Sequence, residues 1–253
     1  MLKNLMLLLT MISILITTQA FGMNFGDSSN YWPGWGNGTG DDNKDVIGIP
    51  NFTGGTAELT GNKLTSLIFN QSVTSSSIWG VTSPGDLFIN TDADNDWDYF
   101  VDLTNWTTAG KDNPDPGAGN YNIYQINLFL GNKNNNPGYI LLGTDYSNGW
   151  SGYQIRDRHP VAYGGDLPAN AFGQVGFSGW DNSPASEYIF NFASLNGGGL
   201  TLGESFITGW TVNCANDVIY EKMNVPAPEP ATMFLLGSGL IGMAGFVRSR
   251  FKK

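Results

Sequence analysis

Apolar and polar positions alternate in short bursts along most of this chain, and only its two ends break the habit. The runs 45–49, 64–69, 86–89, 97–103, 121–130, 139–142, 187–192, 205–212 and 217–220 join β-branched and aromatic residues to a period of two, which predicts strands. Gly, Asn, Ser and Pro clusters at 62–63, 83–85, 132–138 and 196–199 predict the turns between them. Nowhere in 21–230 do apolar residues recur at helical spacing over three turns. In 97–103, Trp97, Tyr99, Val101 and Leu103 share one face and Asp98, Phe100 and Asp102 the other, so the first face is expected to meet the core. Irregular spacing and the lack of an internal repeat argue against a propeller or solenoid. The expected fold is all-β, a single jelly-roll-like β-sandwich spanning 21–224.

The ends follow other rules. Lys3 precedes the apolar run 5–16, and Thr18-Gln19-Ala20 then places small residues where a signal peptidase reads them. This is the three-part pattern of a signal peptide, 1–20, with the cut expected after Ala20 or Gly22, and the run is too short to span a bilayer. At the other end, Val225-Pro226-Ala227-Pro228-Glu229-Pro230 leads into 231–247, seventeen residues without a charge, and then into Arg248-Ser249-Arg250-Phe251-Lys252-Lys253. A stiff proline segment, a helix at the short limit of transmembrane length and a basic stop would leave the preceding domain outside the cytoplasm.

The segment 225–253 resembles the PEP-CTERM tail of bacterial exosortase substrates, the match resting on Pro228, Glu229, Pro230, the Gly-containing helix 231–247, Arg248 and Arg250. The resemblance implies a membrane-embedded exosortase as partner and processing near Pro-Glu-Pro. It also implies an inner-membrane intermediate held by the C-terminal helix, then release to the cell surface or extracellular matrix. Within the cargo, Tyr31-Trp32-Pro33-Gly34-Trp35, Gly85-Asp86-Leu87-Phe88-Ile89-Asn90, Trp97-Asp98-Tyr99, Arg158-His159-Pro160-Val161 and Cys214-Ala215-Asn216-Asp217 are similar to segments of uncharacterised exosortase-dependent surface proteins. That group brings no activity with it.

Charge narrows the partners. Between 21 and 230 seven basic residues face 22 acidic ones, a net −15 that repels nucleic acid and anionic lipid and attracts divalent cations. Cys214 is the sole cysteine, so neither an internal disulfide nor a Cys-based metal site can form.

Four groups of residues are candidates for chemistry. Asp92, Asp94, Asp96 and Asp98 crowd a hairpin turn, with the oxygen ligands Ca²⁺ prefers. Trp97 and Leu103 replace the Gly and Glu that an EF-hand needs, which leaves either a looser Ca²⁺ site or a solvated acidic tip. Trp32, Trp35, Trp150, Tyr153 and Trp180 lie beside Gly or Pro and suit either glycan stacking or loop anchoring. Trp79, Trp97 and Trp210 read as core. His159, the only histidine, has Asp157 nearby but no Gly-x-Ser-x-Gly elbow. Glu187 and Glu204 would serve a glycosidase only if the sheet brought them together. The expectation is therefore a non-enzymatic, exosortase-processed surface or matrix protein with a structural or adhesive role in exopolysaccharide. A lectin-like module with a defined glycan is the alternative, and a hydrolase the third reading.

Overall fold

The computed structural model describes residues 20–28, 51–72, 84–104, 106–107, 110–111, 117–130, 140–142, 160–179, 187–212, 217–227, 237–239 and 241. The first strands are β1 (Ala20–Phe25), β2 (Phe52–Thr60), β3 (Lys63–Gln71), β4 (Leu87–Asn90) and β5 (Asp96–Val101). Next come β6 (Trp106–Thr107), β7 (Gly110–Lys111), β8 (Gly119–Phe129), β9 (Ile140–Leu142) and β10 (Pro160–Tyr163). The last are β11 (Gly173–Ser178), β12 (Glu187–Asn191), β13 (Leu200–Thr201), β14 (Ser205–Thr211) and β15 (Val218–Asn224).

The all-β class holds, but the two packed sheets of a sandwich are not what the strands form. One antiparallel sheet of eleven strands runs β1-β2-β3-β12-β11-β8-β5-β4-β14-β15, with β13 beside β3. It rolls up almost to closure. Past the end of β1, Ser28 donates from both N and Oγ to Glu221 Oε1 on β15, at 3.0 Å each. The amide of Phe52, opening β2, donates to the Asp217 carboxylate just before β15. Side-chain bonds thus bridge the two ends of the sheet where, among the described residues, no backbone ladder does.

Rolling gives the sheet an inside. Leu64, Leu67, Phe69, Ile123, Val175, Phe177, Tyr188, Phe190, Phe206, Trp210 and Ile219 are buried there, and Phe21, Met23 and Phe25 of β1 pack against them. Trp210 is the hub, with ring centroids 4.8 Å from Phe69, 5.0 Å from Phe52 and 5.0 Å from Tyr188. Its Nε1 donates to Gly85 O at 3.1 Å, which satisfies the one polar atom it buries.

A second apolar cluster covers the outer face of β4, β5, β8, β14 and β15. Phe88, Trp97, Phe100, Tyr124, Leu128, Ile207 and Val218 meet Val161, Ala162 and Tyr163 of β10 there. Phe100 stacks on Tyr163 at 4.3 Å and on Tyr124 at 5.3 Å. This corrects the expected facing of 97–103. Tyr99, Val101 and Leu103 do turn inward, whereas Trp97 joins Phe100 on the outer face. The cause is a register shift: Trp97 faces Leu128 while Phe100 faces Tyr124, so β5 and β8 fall out of step by one residue between them.

The strands of the large sheet run between two ends. Ala20↔Thr60, Thr60↔Lys63, Asn191↔Ser66, Asp96↔Phe129, Ile207↔Asn90 and Ser205↔Asn224 mark or approach the near end. Phe25↔Gly55, Phe52↔Gln71, Glu187↔Asn70, Phe177↔Gly119, Leu87↔Val101 and Thr211↔Val218 mark the far end.

Candidate functional site

The acidic turn, residues 91–95 between β4 and β5, lies at the near end. Its carboxylates are engaged with the turn itself. Asp96 N donates to Asp94 Oδ1 at 2.7 Å and Asp94 N to Asp92 Oδ1 at 3.3 Å, each an Asx-type bond to the amide two residues on. Thr91 donates from N and Oγ1 to Asp98 Oδ2, both at 2.6 Å, and Asn90 Nδ2 donates to Asp94 O at 3.1 Å. Outside bonds fix the loop too, from Gly203 N to Thr91 O at 2.8 Å and from Leu130 N to Asn95 O at 2.9 Å. Ala93 sits at φ 58°, a left-handed value that an L-residue tolerates only when its surroundings enforce it. Among the described residues no three His, Cys, Asp or Glu side chains are grouped to hold a metal ion. Asp92 and Asp94 are exposed and Asp96 and Asp98 half-buried, with Asp98 drawn back onto Thr91.

A more consequential carboxylate was not singled out by the sequence pattern. Asp86, at the far end, is 1% exposed. Its Oδ1 accepts from Leu103 N at 2.9 Å and Thr104 N at 3.0 Å, and its Oδ2 accepts from Tyr163 N at 2.8 Å. Its own amide donates to Val161 O at 2.8 Å. One side chain thus clamps the start of β4, the exit of β5 and the strap β10. Gly85 lets the strap come close, since a Cβ there would stand 2.5 Å from Val161 O. Burial, with the negative charge of Asp102 second, raises the Asp86 pKa well above the usual carboxylate value, against the opposing pull of its N–H donors. The only local clue is an Asp flanked by Gly85 and Leu87 at the head of a strand buried on both faces.

The other expected residues divide cleanly. Trp97 and Trp210 are core, both 0% exposed. Glu187 opens β12 at the far end and Glu204 precedes β14 at the near end, so the sheet separates them rather than pairing them. Trp32, Trp35, Trp79, Trp150, Tyr153, Trp180, His159 and Cys214 lie outside the described residues, as does the strand expected at 45–49.

The chain leaves the barrel at its near end. Beyond β15, Val225 still packs on the interior cluster, and its N donates to Glu204 O at 2.8 Å. Pro226 and Ala227 are then exposed. Of the expected tail, 237–239 and 241 are helical, while Pro228, Glu229, Pro230, Arg248 and Arg250 lie outside the described residues. No helix among the described residues is long and apolar enough to cross a membrane.

An all-β domain whose last strand runs straight into such a segment defines a cargo with a sorting signal. Residues 226–250 match the family model of the PEP-CTERM protein-sorting motif. The chain carries the signal read by exosortases, and it is an exosortase-sorted, exported protein. No curated protein and no solved structure matches this chain.

Proposed function

We propose that this protein is a surface or extracellular-matrix component with a structural or adhesive role in exopolysaccharide. On this reading 1–20 is a signal peptide, 231–247 is a transmembrane helix that holds the precursor in the inner membrane, and exosortase then processes it near Pro228-Glu229-Pro230. The observation that carries the reading is the PEP-CTERM match at 226–250, beginning two residues after β15 ends at Asn224. The interior packed around Trp210 supports a passive scaffold, and the net −15 of 21–230 favours neutral glycans or cation-bridged acidic polymer over anionic lipid.

The test replaces Pro228, Glu229 and Pro230 together by Ala. Export should persist while the C-terminal cut is lost, so that full-mass protein collects in the inner-membrane fraction. Identical processing of mutant and wild type would overturn the sorting assignment. For the role itself, processed protein should sediment with exopolysaccharide prepared from its own host. Retention by one defined glycan and not by the bulk polymer would favour the lectin alternative.

A further inference from the structure

Both ends of the chain meet the barrel on one side. Ala20, the first residue of β1, pairs with Thr60 at the near end, and β15 finishes there with Asn224 opposite Ser205. We infer that the near end is the membrane-facing surface of the precursor, held against the bilayer by two short tethers, and that the far end points away. This rests on reading 231–247 as a membrane segment.

Reach decides the geometry. Val225 is fixed to the barrel by its bond to Glu204 O and its packing on the interior cluster. Six residue steps separate it from Ala231, the first of the uncharged run, and they extend at most about 20 Å. On the other side, four steps lie between Ile16, the last residue of the leader's apolar run, and Ala20, a reach of at most about 14 Å. A single tether would let the barrel swing. Two tethers on one face keep that face turned to the bilayer while the leader is attached, and the short C-terminal tether keeps it close afterwards. Among the described residues the surface so placed includes the turn at Gly61 and Asn62, the acidic turn 91–95 and the segment 192–204. The six residue steps of β14 run about 20 Å along the strand toward the far end, and its tilt in the rolled sheet leaves the far end on the order of 15 Å further out.

The full-length chain, with Cys214→Ser, is reconstituted into phosphatidylcholine vesicles doped with a headgroup-nitroxide lipid. One fluorophore is attached at Asn196→Cys, exposed at the near end, or at Ser178→Cys, exposed at the far end. Vesicle flotation reports anchoring, and quenching reports distance from the headgroups. The expected result is co-flotation of both variants, with quenching at least about threefold stronger at Asn196→Cys. Co-flotation with equal or reversed quenching would overturn the orientation and leave the membrane reading of the tail standing. A chain that fails to float would overturn that reading and the inference with it.

Discussion

Removing the Asp86 carboxylate would leave the amides of Leu103, Thr104 and Tyr163 facing apolar surroundings together. Each stranded donor costs about 1–3 kcal/mol, so Asp86→Ala should destabilise the domain by about 3 kcal/mol or more in urea unfolding. Asp86→Asn, nearly isosteric, turns an NH₂ toward one donor set and should cost less. The sign of the pH effect is unusual for a carboxylate. With its folded pKa raised, Asp86 binds a proton more readily in the native than in the unfolded chain. Its contribution is therefore fully present below the unfolded pKa, about 3.9, and is lost as pH rises through the folded one. The stability gap between wild type and Asp86→Asn should widen as pH falls from neutrality into that window. A gap independent of pH would mean that Asp86 does not titrate there. None of this was legible in the sequence, because two of the amides lie 17 and 18 residues from Asp86 and the third lies 77 away.

At the scale of elements, alternation located β3, β4, β5, β8, β9, β12, β14 and β15 to within a few residues. It failed where the backbone leaves the period of two. No strand was expected over β2, where Gly54 and Gly55 interrupt the alternation, yet both sit inside the strand. Gly54 has φ 99°, and a Cβ on Gly55 would stand 1.9 Å from Ile68 O and 2.6 Å from the Phe25 ring. The glycines allow β1 and β3 to close on β2 from either side. Gly55→Ala should accordingly cost about 1–3 kcal/mol, at the upper end because backbone must move, and should loosen β1 first in hydrogen exchange. An unchanged melting curve would contradict the packing. In β3, Thr65 is an extra residue between the Ser66↔Glu58 and Leu64↔Leu59 pairs, and its Oγ1 donates to Glu58 O at 3.0 Å. That bulge keeps Leu64 facing the interior with Leu67, as the shift between β5 and β8 puts Trp97 outside with Phe100. A bulge moves a side chain to the other face without altering composition, so periodicity cannot register it. The sorting tail was legible for the opposite reason, since its determinants are contiguous in the chain and need no folded partner.

For the whole molecule, the order of strands sets an order of events. β3 finds its second neighbour only in β12, more than a hundred residues later, and β4 finds its own in β14. Pairings so distant must meet the entropy of closing long loops before any contact rewards them, and all-β domains of such topology fold on the order of milliseconds to seconds. A chain crossing the membrane from its N-terminus therefore presents an open, unfinished curl until residues 205–224 have emerged. A chain truncated after residue 204 should be degraded throughout by added protease, whereas one ending at 227 should yield a resistant core; resistance of the shorter chain would place closure earlier. Because the sorting segment begins two residues beyond β15, the strand that completes the barrel and the segment that retains the protein arrive almost together. On the proposed membrane reading of the tail, retention thus coincides with maturation. The cargo is still tethered at the moment it ceases to be vulnerable, so what the exosortase is offered to cut loose is a barrel that has just closed.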